Sequence, residues 1–150
     1  MTIAFIRHGE PRRSESDPGL TSAGRRMAME AGQWLASQGL TPTSIQCTPT
    51  QRTRDTAEEL SLVFSGLEVR ERDGEPHDLS DWRRLVAPLR RTPGLHVLVG
   101  HHPTLALLLR AFGPPPEPVP VHHYAAALLL LPAEEPAWRI HAAWPGRAAL

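Results

Sequence analysis

Thr2-Ile3-Ala4-Phe5-Ile6-Arg7-His8-Gly9-Glu10 is the stretch that decides how this chain is read. A short β-branched and aromatic run stops abruptly at Arg-His-Gly. Such a run reads as a buried strand. The glycine lets the backbone turn where the strand stops and brings the main chain close to whatever binds there. In open α/β sheets, ligands bind just past the carboxyl ends of strands. Arg7 and His8 stand at such an end. One is a permanent cation whose fork matches phosphate oxygens; the other is a nitrogen nucleophile or acid/base. Taken alone, the three residues read equally well as a polar surface turn.

Working outward, Pro11 to Gly19 is a polar loop. A helix opens at Leu20-Thr21-Ser22-Ala23-Gly24, capped by Thr21 or Ser22, and runs through Met27, Ala31, Trp34 and Leu35 to a stop at Gly39. Ser44 to Cys47 reads as a second strand ending at Thr48-Pro49, with a helix from about Thr50 to Val63 behind it. Leu67 to Arg70 alternates like a short strand. Asp73 to Asp78 is a loop. Leu79 to Arg91 has helical spacing interrupted by Pro88. Leu95 to Val99 is a strand stopping at Gly100-His101-His102-Pro103, and a helix through Leu105 to Phe112 follows. Gly113 to Pro120 is an extended, proline-dense connector. Tyr124 to Leu131 reads as a buried strand, paired in a hairpin with Arg139 to Trp144. Strands alternating with helices predict an α/β fold in one domain, 1–150, with a mostly parallel sheet and a C-terminal antiparallel hairpin.

Composition narrows the function classes. The 150 residues are 41% hydrophobic and 21% charged, an ordinary globular balance. Sixteen basic residues offset 16 acidic ones, so bulk charge announces neither a nucleic-acid nor a membrane partner. Every basic residue is arginine, which excludes Schiff-base chemistry on lysine. The single cysteine, Cys47, has no internal partner and fits a reducing cytoplasm. No leader segment and no membrane span are expected.

Three predicted strand ends share one design: Arg7-His8-Gly9, Thr48-Pro49 leading into Arg52, and Gly100-His101. If these strands are neighbours, two arginines and two histidines converge on one rim. That set grips a phosphoryl group through charge-assisted hydrogen bonds. Cys47, His96 and His122-His123 lack the spacing of a metal site and read as ordinary side chains. The four tryptophans sit at periodic positions and read as core. His102 reads as a helix-start residue.

Together, Arg7-His8-Gly9-Glu10, Leu20-Thr21 with Gly24, Thr48-Pro49-Thr50-Gln51-Arg52 with Thr56-Ala57, and Val99-Gly100-His101 resemble the signatures of the histidine phosphatase superfamily, the phosphoglycerate mutase-like group. The short chain and its proline-rich segment before a hairpin are most similar to small SixA-type phosphohistidine phosphatases. The resemblance implies a three-layer fold with helices on both sheet faces. It implies that His8 is the nucleophile and that Arg7, Arg52 and His101 form the phosphate pocket. Thr48 stands where the family usually has serine, and His102 where it commonly has asparagine.

No cofactor is expected, because the arginines supply the charge that a metal supplies elsewhere. The larger family members place a glutamate acid between the second arginine and second histidine. Glu75 lies in that interval, without the usual motif around it. An alkoxide leaving group needs such an acid, whereas the imidazole of phosphohistidine can carry its own proton. The expected substrate is therefore a phosphohistidine in a protein. A small phosphate ester is the alternative within the superfamily, and a non-catalytic phosphate-binding module is the alternative outside it.

Overall fold

The computed structural model describes residues 1–13, 16–134 and 138–150. Its sheet is built around β1 (Thr2–Arg7). On one side β1 runs parallel to β4 (Leu95–Gly100), which is parallel to β2 (Pro42–Cys47), which is parallel to β3 (Val69–Glu71). On the other side β1 is antiparallel to β5 (Ala127–Pro132), which pairs with β6 (Trp138–Trp144). The order is β3-β2-β4-β1-β5-β6. The three strands whose ends carry the polar signatures are therefore consecutive.

Successive residues of β1 point to opposite faces, and both faces are covered. Ala4 and Ile6 join Met27, Ala31 and Leu35 of α1 (Ser22–Ser37) and Leu60 of α2 (Gln51–Val63). Ile3 and Phe5 join Trp82 of α3 (Leu79–Val86) and Leu105 and Leu108 of α4 (His102–Phe112). Two buried faces explain why the strand reads as a continuous apolar run. Each fully buried large side chain contributes about 1.5–3 kcal/mol.

The helix starts follow from local chemistry. Thr21, Thr50 and Asp78 each sit in extended backbone and accept a hydrogen bond from the N–H three residues on. Such a cap contributes about 1 kcal/mol. Gly24 lies where α1 crosses the Glu10 backbone so closely that any Cβ would meet the Glu10 carbonyl.

Some boundaries differ from expectation. α3 ends at Val86, and a 3-10 turn at Ala87–Arg91 carries the chain past Pro88, which has no N–H to continue the α-helix. α4 begins at His102, the residue read as a helix start, and Pro103 is tolerated in its first turn. β5 begins at Ala127 and not at Tyr124. Tyr124 bridges to Arg147, and Ala125 adopts φ 53°, which breaks the extended run. The tryptophans are structural: Trp82 and Trp138 are buried, and Trp34 stacks on Trp144 at 6.4 Å. His96 is a core histidine, with its two ring nitrogens on Ser44 and the Thr92 carbonyl. Among the described residues, no helix is long and apolar enough to cross a membrane.

Candidate active site

The carboxyl ends of β2, β4 and β1 bring His8, Arg7, Arg52 and His101 to one rim. The His8 and His101 rings lie 5.5 Å apart, edge to face. The main chain holds His8 from both sides: its N–H donates to the Gly100 carbonyl, and its own carbonyl accepts from Ala125. Its Nδ1 lies 2.8 Å from the Gly9 carbonyl, so Nδ1 carries the proton and donates there. The lone pair is thereby assigned to Nε2, the nitrogen a nucleophile needs.

A short relay couples this strand end to Arg52. The Gly9 N–H donates to Thr56 Oγ1 at 3.0 Å, and the Thr56 hydroxyl donates to the Arg52 carbonyl at 2.8 Å. Leu20, on the other side of the loop, donates its N–H to the buried Asp55 carboxylate at 3.0 Å. The sequence signatures around Gly24 and Thr56 thus do one thing: they fix the Arg-His-Gly loop against α1 and α2.

Arg7 is held face-on to Tyr124, its guanidinium carbon 4.5 Å from the ring centroid. Its Nη1 donates to the His123 carbonyl at 2.7 Å. Burial pulls its pKa below the ordinary arginine value. Arg52 Nη2 approaches His101 Nδ1 at 3.4 Å. On the ring's other side, His101 Nε2 lies 2.9 Å from Thr48 Oγ1, whose hydroxyl donates to Thr53 Oγ1 at 3.0 Å. An arginine can only donate, so His101 Nδ1 is the acceptor and Nε2–H is the donor to Thr48. Threonine at 48 therefore supplies the hydroxyl that the serine of the pattern would supply.

Electrostatics keep both histidines neutral. Burial, joined by the charges of Arg7, His101 and Arg52, lowers the His8 pKa to about 3, against a raising contribution from the Gly9 hydrogen bond. Burial, then Arg52, Arg72 and Arg7, lowers His101 to about 4. The sign of the consequence follows directly. A group whose folded pKa is depressed stabilises the fold above its unfolded value and loses that contribution as pH falls toward the folded value. The stability contributed by a neutral His8 should be complete above about pH 6.5 and be lost progressively toward about pH 3. In an NMR titration the His8 ring should show no protonation step between pH 8 and about pH 5. The His8→Gln protein should lose less stability over the acid range than the wild type. A His8 resonance titrating near 6.5 would contradict this account.

Glu75 also reaches the rim, but through its partners. Arg72 Nη2 donates to Oε1 at 3.1 Å. The His101 N–H donates to Oε2 at 3.2 Å, and the Thr104 hydroxyl bonds the same oxygen. His102 is the first residue of α4, as its position in the sequence suggests. The sequence reading missed Arg72, Thr104 and Tyr124. Arg72 follows the end of β3, so the strand-end rule applied elsewhere would have found it. Tyr124 is the one tyrosine of the chain, hidden at the edge of an apolar run.

Residues 3–75 match the model of the histidine phosphatase superfamily (branch 1). The signature of that superfamily thus spans the first half of the chain, from β1 to Glu75. No curated protein matches the sequence. Among solved structures, a SixA protein histidine phosphatase complexed with tungstate aligns at TM-score 0.75 and 17% identity, covering 95% of this chain and 96% of that one. An Agrobacterium tumefaciens protein assigned as a phosphohistidine phosphatase, SixA, aligns at 0.74 and 21%, with the same coverage. A mycobacterial glucosyl-3-phosphoglycerate phosphatase aligns at 0.67 and 20%, covering 98% and 99%. At these identities the structural likenesses establish the fold. Together with the match to the histidine phosphatase superfamily, they support a phosphatase.

Proposed function

We propose that this histidine phosphatase superfamily chain removes phosphoryl groups through a covalent phosphohistidine on His8, and that its substrate is a phosphohistidine in a protein. The observation that carries the reading is the assigned tautomer of His8: Nδ1 is tied to the Gly9 carbonyl, and the lone pair of Nε2 is left for phosphorus, beside Arg7, Arg52 and His101. Nε2 attacks phosphorus, and the P–N bond to the leaving imidazole breaks. That imidazole leaves with its own proton. Water then attacks the phosphoryl-His8 intermediate, releasing inorganic phosphate and restoring neutral His8. Charge on the non-bridging oxygens is met throughout by Arg7 and Arg52, and by His101 once its Nε2–H turns from Thr48 to an incoming phosphoryl oxygen. The chain's own residues supply every charge this sequence of steps uses, so the reading needs no cofactor. A buried, unpaired Cys47 is consistent with action in a reducing cytoplasm.

The substrate preference draws on the SixA-like fold and its near-complete coverage of both chains. The glucosyl-3-phosphoglycerate phosphatase neighbour keeps a second reading in view, a small phosphate ester. A panel decides between them. The expected result is kcat/KM for a phosphohistidine peptide at least about tenfold above that for any sugar phosphate or phosphoglycerate, a margin of about 1.4 kcal/mol in transition-state binding. Faster hydrolysis of a sugar phosphate would make the second reading the correct one. No turnover of either class, with phosphate still bound, would leave a phosphate-binding module.

A further inference from the structure

His101 caps α4 by position, yet its side chain makes no capping hydrogen bond, because the imidazole is committed to Thr48 and Arg52. At many helix starts, a carboxylate three residues into the helix reaches back to the N–H of the capping residue. Here that helical position is Thr104, which is too short to do so and instead bonds Glu75. Glu75, arriving from the loop after β3, accepts from the His101 N–H and so plays the missing carboxylate's part from outside the helix. Gly100 makes room for it: a Cβ there would run into the Glu75 carboxylate.

A carboxylate one hydrogen bond from the phosphate-binding histidine would normally draw a proton onto the imidazole and repel phosphate. Arg72 cancels that field. Its side chain is only 8% exposed, and Nε and Nη1 have no hydrogen-bond partner among the described residues. A buried guanidinium with two unpartnered nitrogens is costly. Its charge is used on two neighbours: it neutralises Glu75, and it helps keep His101 unprotonated.

We propose that Arg72 and Glu75 are a positioning pair for His101, and that Glu75 serves as a fixed acceptor and not as the proton donor to the leaving group. This rests on the phosphatase reading above and deepens it. With Glu75 so committed, efficient substrates are those whose leaving group departs without a donor, namely phosphoramidates such as phosphohistidine and acyl or aryl phosphates, over alkyl phosphates.

The test compares leaving groups. Wild type, Glu75→Gln and Glu75→Ala are assayed on aryl and alkyl phosphates spanning a wide range of leaving-group pKa. Glutamine keeps an acceptor for the His101 N–H, so Glu75→Gln should retain most activity, and Glu75→Ala should lose up to roughly 10²-fold. In both variants the loss should be the same factor for every leaving group. A Glu75→Gln loss of about 10²–10⁴-fold confined to alkyl phosphates is the mark of a general acid and would overturn the proposal. A second arm needs no turnover. In NMR titrations, Arg72→Met should raise the His101 pKa from about 4 toward the ordinary value of 6.5, and the exposed control Arg84→Met should not. Thr104→Val, which removes one partner of Glu75 alone, should shift the His101 ring resonances. His101 signals unchanged in both Arg72→Met and Thr104→Val would also overturn it. If the wild type hydrolyses nothing, the phosphatase reading fails while this second arm still tests the pair.

Discussion

His8→Ala should abolish turnover, with a loss of about 10⁴-fold or more, and no phosphoryl label should accumulate on the protein. In the wild type, quenching during turnover should trap label that is stable to alkali and lost in acid, the behaviour of a phosphorus–nitrogen bond. The size of the effect follows from what is removed. Alanine leaves the cations and the fold in place, so phosphate should still bind. What disappears is the attacking nitrogen, for which no neighbouring group substitutes: Thr48 is engaged with Thr53 and His101, and Cys47 is fully buried in the core. His101 is the one other imidazole at the centre, and its Nδ1 faces Arg52. Label recovered on His101 in the wild type would reverse the two assignments.

Arg52→Lys should lower kcat by about 10²–10³-fold while changing KM much less. Lysine keeps the charge but loses the planar fork, which can bond two phosphoryl oxygens and still reach His101 Nδ1. As the transition state spreads charge over the non-bridging oxygens, the fork gains more than a point charge does, so the penalty falls on the chemical step. A rise in KM with unchanged kcat would show that Arg52 contributes to ground-state binding alone. Steady-state kinetics on an aryl phosphate are sufficient to see the difference.

Much of this was legible in the chain because strand ends announce themselves. Ile6-Arg7-His8-Gly9 and Val99-Gly100-His101 change from apolar to polar at the strand end, and each change marks a place where a strand stops and polar side chains gather. What local pattern does not encode is adjacency. Nothing between residues 7 and 100 states that β1 lies beside β4; the convergence of Arg7 and His101 had to be assumed, and the sheet order provides it. Glu75 was visible as a carboxylate in a suitable interval, but its partners were not, since Arg72 and Thr104 meet it only after β3 and α4 are in place. Tyr124 was absorbed into an apolar run because no local signal predicts a left-handed alanine at position 125. The antiparallel pairing of the two C-terminal strands was read correctly, and residues 135–137 lie outside the described residues.

The strand order carries a consequence for how the molecule is made. Both neighbours of β1 come from the second half of the chain: β4 spans residues 95–100 and β5 residues 127–132. During synthesis, the largely apolar β1 emerges before either partner and waits unpaired through the roughly 90 residues that precede β4. Loop-closure entropy is met before those distant pairings reward it, which slows folding and leaves a sticky edge exposed in the nascent protein. The segment that carries His8 thus needs shielding until β4 has been made.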